Sequence, residues 1–143
     1  MNWDIPDRAA DIVLVIAGIP PSKKNSQRIV KRRDGSPMVI ASQKAKGFEA
    51  ALALLAQRCR NLGDHYIAVC ITVDEAEERT RIEVWDLGPQ PAKGPRHTRR
   101  DVHNTADVVM DALQRLAFND DRQARIVITR HGTVPCRNTN QIR

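Results

Sequence analysis

The sequence predicts an α+β fold in which two main helices pack on one face of a mixed β-sheet. Short runs rich in Val and Ile recur along the chain, and two longer segments carry apolar residues at three- and four-residue spacing. Gly- and Pro-containing turns separate these segments. At 143 residues the chain is expected to form a single domain, residues 1–143, with one core.

The first third of the chain predicts a strand, a polar loop and a hairpin. Residues 11–17 form a continuous apolar run whose length and β-branched composition favour a buried strand. The prolines that begin residues 20–26 exclude a helix there and predict a loop that presents amide, hydroxyl and ammonium groups. Residues 28–33 and 37–40 flank an Asp-Gly turn signal and are expected to pair as a hairpin.

The middle of the chain predicts a helix followed by two strands. Ser42 is a plausible N-cap for a helix that continues to about Asn61. Its predicted core stripe consists of Phe48, Ala51, Leu52, Leu55 and Cys59. Apolar residues alternate over residues 67–73, as in a strand, and a shorter strand is expected over residues 82–85.

The last third predicts a loop, a second helix and a final strand. Residues 87–98 are rich in Gly and Pro and predict a flexible loop. A helix is expected over residues 105–117, with Asn104 as its N-cap. Residues 124–129 predict the last strand, and residues 132–143 are expected to be a loosely ordered tail.

The charge of the chain favours a polyanionic partner. Lys and Arg number 23 against 17 Asp and Glu, which gives a net charge of +6. The basic residues cluster in residues 23–33, 93–100 and 122–143, and three such patches can form one groove. The alternative is a solvated surface on which the clusters are incidental.

Cysteine usage and hydropathy predict a cytoplasmic protein. Cys59, Cys70 and Cys136 are odd in number and lack the spacing of metal ligands, which favours reduced thiols. Neither a signal-peptide core nor an apolar run of about eighteen residues occurs, so membrane insertion is not expected.

Two segments of the sequence combine acidic and basic side chains in a pattern that suggests a catalytic site. Residues 99–104 read Arg-Arg-Asp-Val-His-Asn, and residues 119–123 return with Asn-Asp-Asp-Arg-Gln. Asp101 and His103 precede a predicted helix N-terminus, where backbone amides favour a bound phosphate. Carboxylates that hold Mg²⁺ or Mn²⁺ beside guanidiniums that hold the backbone would suit a metal-assisted phosphodiester site.

These motifs resemble the RusA-type Holliday junction resolvases, which are common in phages and prophages. The resemblance covers most of the chain and rests on Pro-Pro-Ser-Lys-Lys-Asn-Ser at residues 20–26, the segments 101–104 and 119–123, and Asp-Ala-Leu at residues 111–113. It implies a RusA-like α+β homodimer that acts in DNA recombination and repair. Such an enzyme binds four-way DNA junctions and cuts symmetrically placed strands with Mg²⁺ or Mn²⁺. No small-molecule cofactor is expected.

Two acids match the family pattern and two residues depart from it. Asp101 matches the first acid of the family's Asp-X-Asp-Asn signature, and Asp121 matches the distant acid, so both resemble metal ligands. His103 stands where the second carboxylate is expected, and Asp107 stands where the family has a lysine attributed to catalysis. Our hypothesis is that Asp107 replaces the missing carboxylate near the metal.

The predicted site therefore has an anionic and a cationic part. The candidate catalytic and metal-binding residues are Asp101, His103, Asp107 and Asp121. The candidate DNA-binding residues are Lys23, Lys24, Arg28, Arg99, Arg100 and Arg122. Of these, Lys24 or Arg100 is expected to supply the positive charge that the absent lysine would provide. A neutral imidazole can bind Mn²⁺ but suits Mg²⁺ poorly, because Mg²⁺ prefers oxygen ligands.

Two other functions remain open at this point. The departures at His103 and Asp107 also fit a RusA relative that binds branched DNA with weak or no nuclease activity. A basic protein that binds duplex DNA nonspecifically is the third possibility. Single residues have simpler interpretations too: Trp85 as a core residue, His65 as a solvated one, and Asp120 as a cap of the turn before the last strand.

Overall fold

The computed structural model describes residues 5–21, 27–41, 43–89, 99–100 and 105–135. The strands in chain order are β1 (Ile12–Ala17), β2 (Gln27–Lys31), β3 (Pro37–Ala41), β4 (Tyr66–Asp74), β5 (Arg79–Gly88), β6 (Arg99–Arg100) and β7 (Ala124–His131). The helices are α1 (Gln43–Ala56) and α2 (Thr105–Leu113), and a 3-10 turn, Asp121–Gln123, leads into β7. Every helix and strand predicted within these ranges is present. The loop predicted over residues 87–98 was wrong for residues 87 and 88, which belong to β5, and residues 90–98 lie outside the described part of the chain.

The main sheet is mixed and has five strands in the order β1-β5-β4-β7-β6. β1 and β4 pair antiparallel with β5, whereas β4 and β6 pair parallel with β7. Two parallel neighbours need a crossover connection, and α2 lies in the crossover between β6 and β7. β2 and β3 form the predicted hairpin as a separate two-stranded sheet.

Both helices pack on the same face of this sheet, which confirms the predicted α+β arrangement. Leu52 and Ala56 of α1 and Val109 and Leu113 of α2 belong to one buried cluster with residues from four strands. The strand residues of that cluster include Ile12, Leu14, Ile67, Val69, Ile71, Ile82, Val84 and Val127. They occupy alternate positions along each strand, so one side of the sheet supplies them.

The opposite face carries a smaller apolar cluster that the amino-terminal segment covers. Ile5 and Ala10 pack there against Trp85, which is 3% exposed. The Trp85 indole N–H donates to the carbonyl of Arg8 at 2.9 Å. Trp85 is therefore a core residue, and it does not present a ring to a DNA base.

Both helices end earlier than the spacing predicted. α1 ends at Ala56. The Gln57 amide still bonds to the carbonyl of Ala53, but the amides of Arg58 and Cys59 bond to carbonyls three residues back in a tightened turn. α2 stops at Leu113 because Arg115 adopts a φ of +70° and its amide bonds to the Phe118 carbonyl. The helical spacing of apolar residues continues in the sequence beyond both helix ends, because the turns that follow the helices also bury apolar residues. The sequence therefore predicted helices that were too long.

β5 runs from Arg79 to Gly88 and is longer than the predicted strand over residues 82–85. Its added residues include Arg79 and Arg81, whose charges, together with that of Glu83, obscured the alternation with Thr80, Ile82 and Val84. The antiparallel partners β1 and β4 continue alongside these residues, so tertiary pairing extended the strand. Among the described residues, no helix has the length and apolar character needed to cross a membrane.

The segment after Gly132 is anchored at its start. Val134 is fully buried, and its amide donates to Asp74 Oδ2 at 2.9 Å. Asp74 Oδ1 also accepts the Glu77 amide at 3.1 Å, so this carboxylate closes the β4–β5 turn. The chain is therefore held in place at Val134, and the expectation of a loosely ordered tail over residues 132–143 as a whole stays a prediction. Residues 136–143 lie outside the described part of the chain.

These contacts predict an acid-sensitive Asp74. The Val134 amide, followed by the Glu77 amide, holds the pKa of Asp74 below 3.8 in the folded protein. A lowered pKa contributes stability that is present above the unfolded value and is lost as the pH falls through the folded value. Asp74→Asn should lower the melting temperature at neutral pH. It should also shrink the further loss on acidification from about pH 5 to about pH 2.

Thermal melts across this pH range, followed by circular dichroism, measure the effect. Asp7→Asn, at an exposed site outside the sheet, is the matched control and should follow the wild type. An Asp74→Asn protein with the wild-type dependence on pH would contradict this role.

Candidate active site

The predicted site residues fall into three groups. Four lie outside the described residues: Lys23, Lys24, Asp101 and His103. Five have a described backbone without a described side chain: Arg28 in β2, Arg99 and Arg100 in β6, Asp107 in α2, and Asp121 in the 3-10 turn. Arg122 is described in full, and its side chain is 90% exposed. The expected convergence of Asp101 with Asp121 therefore stays a prediction.

The turn at residues 119–123 is fixed by the side chain of Gln123, which is 3% exposed. Its Oε1 accepts the backbone amides of Asn119 at 2.9 Å and Asp120 at 2.7 Å. Its Nε2 donates to the carbonyls of Gly63 and His65, each at 2.7 Å. One buried amide thus closes the turn and attaches it to the segment that precedes β4.

Two further hydrogen bonds hold the same turn. Asp120 Oδ1 accepts the Arg122 amide at 2.9 Å, which supports the interpretation of Asp120 as a cap. Asn119 Nδ2 donates to Asp64 Oδ1 at 2.7 Å. The backbone of Asp121 therefore lies between two anchored neighbours, Asp120 and Gln123. A side chain on such a backbone loses less conformational entropy on binding a ligand than one on an unanchored loop.

The sheet register fixes where Asp121 lies relative to β6. Asp121 immediately precedes β7, whereas Arg100 pairs with Val127, six residues further along. Three steps at 3-10 rise and three at strand rise span about 16 Å along the chain. Asp101 follows Arg100 in the sequence. A metal site shared by Asp101 and Asp121 would therefore have to bridge a separation of this order.

The position of Asp107 follows from α2. Ala106, Val108, Val109 and Met110 are all buried, whereas Asp111 is exposed. The helix is thus apolar on much of its circumference, because it packs against both α1 and β7. Asp107 lies in the first half of this helix, towards the end that follows residues 101–104.

A histidine-carboxylate pair lies beside the turn. His65 Nδ1 is 2.9 Å from both carboxylate oxygens of Asp86, which also accepts the Gly88 amide at 2.7 Å. His65 is therefore paired with a carboxylate, while 42% of its side chain stays exposed, and nothing in the sequence indicated this pairing. The reason is tertiary, since Asp86 lies 21 residues along the chain on the neighbouring strand.

Asp11 extends this network towards the amino terminus. Its Oδ2 accepts the Asp86 amide at 2.7 Å and the Arg8 guanidinium at 3.1 Å. Burial raises the pKa of Asp11, but these two hydrogen bonds and the positive charge of Arg8 outweigh it. The net result is a pKa below the ordinary value of 3.8.

A comparison with known protein families identifies the family of this chain. The profile of the family described as Endodeoxyribonuclease RusA matches residues 18–139 of the 143-residue chain. The chain belongs to the RusA endodeoxyribonuclease family. This confirms the resemblance found in the motifs, and the RusA family acts on branched DNA junctions. Searches of curated proteins and of solved structures found no match.

Within this RusA-family chain, the residue that sequence reasoning missed is Gln123. It closes the Asn-Asp-Asp-Arg-Gln motif, yet no role was assigned to it from the sequence. The available signal was its place directly before a buried strand, where a long amide can reach several backbone groups. Gln123 is a positioning residue for the turn that carries Asp121 and Arg122.

The described side chains alone do not form a metal site. Among them, no group of three or more His, Cys, Asp or Glu residues is arranged to hold an ion. Asp74, an acid at the end of a strand, is occupied by two backbone amides instead. Whether the site suits a divalent metal is therefore judged from the donor atoms of the predicted ligands, Asp101, His103, Asp107 and Asp121.

Replacing Gln123 tests the positioning role. Gln123→Ala removes four hydrogen bonds in a buried place and should lower the free energy of unfolding by about 2–4 kcal/mol. Urea denaturation measures this change. Gln57→Ala, at an exposed residue just past α1, is the control and should stay within about 0.5 kcal/mol of the wild type. Equal stability of the two variants would exclude the anchoring role.

Proposed function

We propose that this RusA-family protein resolves Holliday junctions by metal-dependent, symmetric hydrolysis of phosphodiester bonds. The observation that carries the proposal is the family match over residues 18–139, which includes both the segment with Asp101 and the anchored turn with Asp121. The family is one of endodeoxyribonucleases that act on branched DNA. The reaction fits the placing of acids between basic segments in this chain.

The donor set of the proposed site suits Mg²⁺ or Mn²⁺. Asp101, Asp107 and Asp121 offer carboxylates, and His103 offers an imidazole. Oxygen donors fit Mg²⁺, and the mixed set fits Mn²⁺ at least as well. A divalent ion at this site would activate water and stabilise the leaving oxygen.

The residues of the chain would bind and orient the substrate. Arg122 follows Asp121 directly, and its exposed guanidinium can contact a phosphate from the anchored turn. We assign the same role to Lys23, Lys24, Arg28, Arg99 and Arg100. The start of α2 adds backbone amides that favour an anion. Together these groups would hold the DNA backbone while the acids act on one phosphodiester bond.

Symmetric incision needs two sites related by a twofold axis. We therefore propose a homodimer that works on DNA in the cytoplasm, in recombination and repair, with a prophage origin consistent with the family. The odd number of cysteines supports a reducing compartment, and Cys59 and Cys70 form no disulfide.

A second candidate function is binding of branched DNA with little or no cleavage. The residues His103 and Asp107 favour it, because they replace a carboxylate and a lysine of the family pattern. Nonspecific binding of duplex DNA is a third candidate function. In that case an excess of linear competitor DNA should abolish binding to the junction.

Cleavage of a synthetic four-way junction tests the proposal. Wild-type protein should nick paired strands symmetrically in Mn²⁺ or Mg²⁺. Asp101→Asn and Asp121→Asn should each reduce the rate by about a hundredfold or more while junction affinity is retained. Asp120→Asn is the matched control, because this neighbouring acid caps the turn. It should cut within a few-fold of the wild type.

The outcomes separate the three functions. Tight, junction-selective binding without cleavage in either metal would establish the second candidate instead. Equal losses in Asp120→Asn and Asp121→Asn would refute the specific role of Asp121 as a ligand.

A further inference from the structure

The hairpin of β2 and β3 stands apart from the main sheet, and we call it the β2–β3 ribbon. In the described part of the chain its strands pair only with each other, from Gln27 with Ala41 at the base to Lys31 with Pro37 near the tip. No other described helix or strand makes more than a slight contact with it. A two-stranded hairpin normally needs a third strand or a helix for support. The free chain supplies little of that support here.

Hydrogen bonds give the tip of the ribbon a defined turn. The Gly35 amide donates to the Arg32 carbonyl at 2.9 Å, and the Arg32 amide donates to the Ser36 carbonyl at 2.8 Å. Asp34 Oδ1 accepts the Ser36 amide at 2.9 Å and the Ser36 hydroxyl at 2.6 Å. Gly35 has a φ of +87°, which residues with a side chain rarely adopt. The tip is therefore shaped before any partner binds, which lowers the entropy cost of binding.

The charge of the ribbon favours a polyanion. Residues 31–33 read Lys-Arg-Arg, and all three are exposed. Residues 27–41 contain four basic residues and one acid, Asp34, which gives a net charge of +3. Hydrogen bonds from the hydroxyl and the amide of Ser36 lower the pKa of Asp34, so this acid is ionised at neutral pH and bonded within the turn. A protein partner would normally need an apolar centre, and Pro37 is the one apolar side chain of the tip, residues 31–37.

The dimensions of the ribbon match the major groove of duplex DNA. Paired strands lie about 4.8 Å apart, and a major groove about 12 Å wide and 8.5 Å deep admits a two-stranded ribbon. Five paired residues at about 3.4 Å each give a length of about 17 Å before the turn. A ribbon of this length can reach the floor of the groove while its base stays at the level of the phosphates. The minor groove, about 6 Å wide, is too narrow for it.

We infer that the β2–β3 ribbon enters the major groove of one arm of a branched DNA. The inference rests on the proposed function, which supplies the DNA arm as the partner. The guanidiniums of Arg32 and Arg33 can bind phosphates on the walls of the groove or the acceptor atoms of guanine on its floor. Contacts with phosphates fix the register of a protein along a duplex. β2 and β3 belong to a different sheet from β6 and β7, so this contact is additional to the one at the candidate site.

Methylation of guanine N7 by dimethyl sulfate tests the inference, because N7 lies in the major groove. The probe is a synthetic four-way junction with guanines in every arm, kept in EDTA so that it stays intact. Saturating wild-type protein should protect a short stretch of guanines in an arm. In the test variant, Asn-Gly replaces residues 31–37 and joins the paired residues Val30 and Met38 by a two-residue turn. At saturation it should leave those guanines as reactive as in free DNA, and circular dichroism checks that its main sheet is intact.

Two substitutions at the tip test the charges. The double variant Arg32→Ala, Arg33→Ala should weaken binding to the junction about tenfold or more. Its plot of log affinity against log salt concentration should be shallower by about one to two units of slope. The control, Lys46→Ala with Arg58→Ala, removes the same charge from exposed sites in and just after α1 and should bind within about threefold of the wild type. An equal loss in the control would assign the binding to total charge and would overturn the inference.

Cleavage of the same junction in Mn²⁺ is measured separately, so that the two proposals can fail independently. Guanines that stay reactive under the wild-type protein, or stay protected under the shortened ribbon, would overturn the ribbon inference whatever the nuclease result. Protection that is lost only with the tip would support it, even if the wild type failed to cut DNA. That combination would refute the nuclease alone.

Discussion

The buried amide of Gln123 is the interaction on which the turn at residues 119–123 depends. It satisfies two amides of its own turn and two carbonyls of the segment before β4. Because β4 is the central strand of the sheet, the turn that carries Asp121 is attached to the most buried part of the fold. A positioned carboxylate needs this kind of support, since a site on an unanchored loop would lose precision.

The topology explains why two distant motifs belong to one unit. β6, α2 and β7 form a crossover between parallel strands, with the acidic segment 101–104 before the helix and the Asn-Asp-Asp-Arg-Gln turn after it. The helix is short and buried against α1 and β7, so its two ends are held at a fixed separation. Any pocket that joins the motifs must bridge that separation with side chains, ions or both.

Much of the fold was predictable because its signals are local. The apolar run of β1, the Asp-Gly turn between β2 and β3 and the spacing in both helices identified these elements directly. The length of β5 and the pairing of His65 with Asp86 were not predictable, because both depend on neighbouring strands that are distant in sequence. The family motifs marked Asp101 and Asp121, whereas the role of Gln123 emerged only when its four partners were located.

The central claim is that Asp101 and Asp121 serve one metal-containing pocket. Crystals of the protein soaked in Mn²⁺ and measured near the manganese absorption edge test it most directly. The account predicts an anomalous peak, or a pair of peaks about 4 Å apart, with oxygens of both carboxylates about 2–2.5 Å from an ion. Manganese bound elsewhere, with these two carboxylates too far apart to share one ion or a pair, would contradict it.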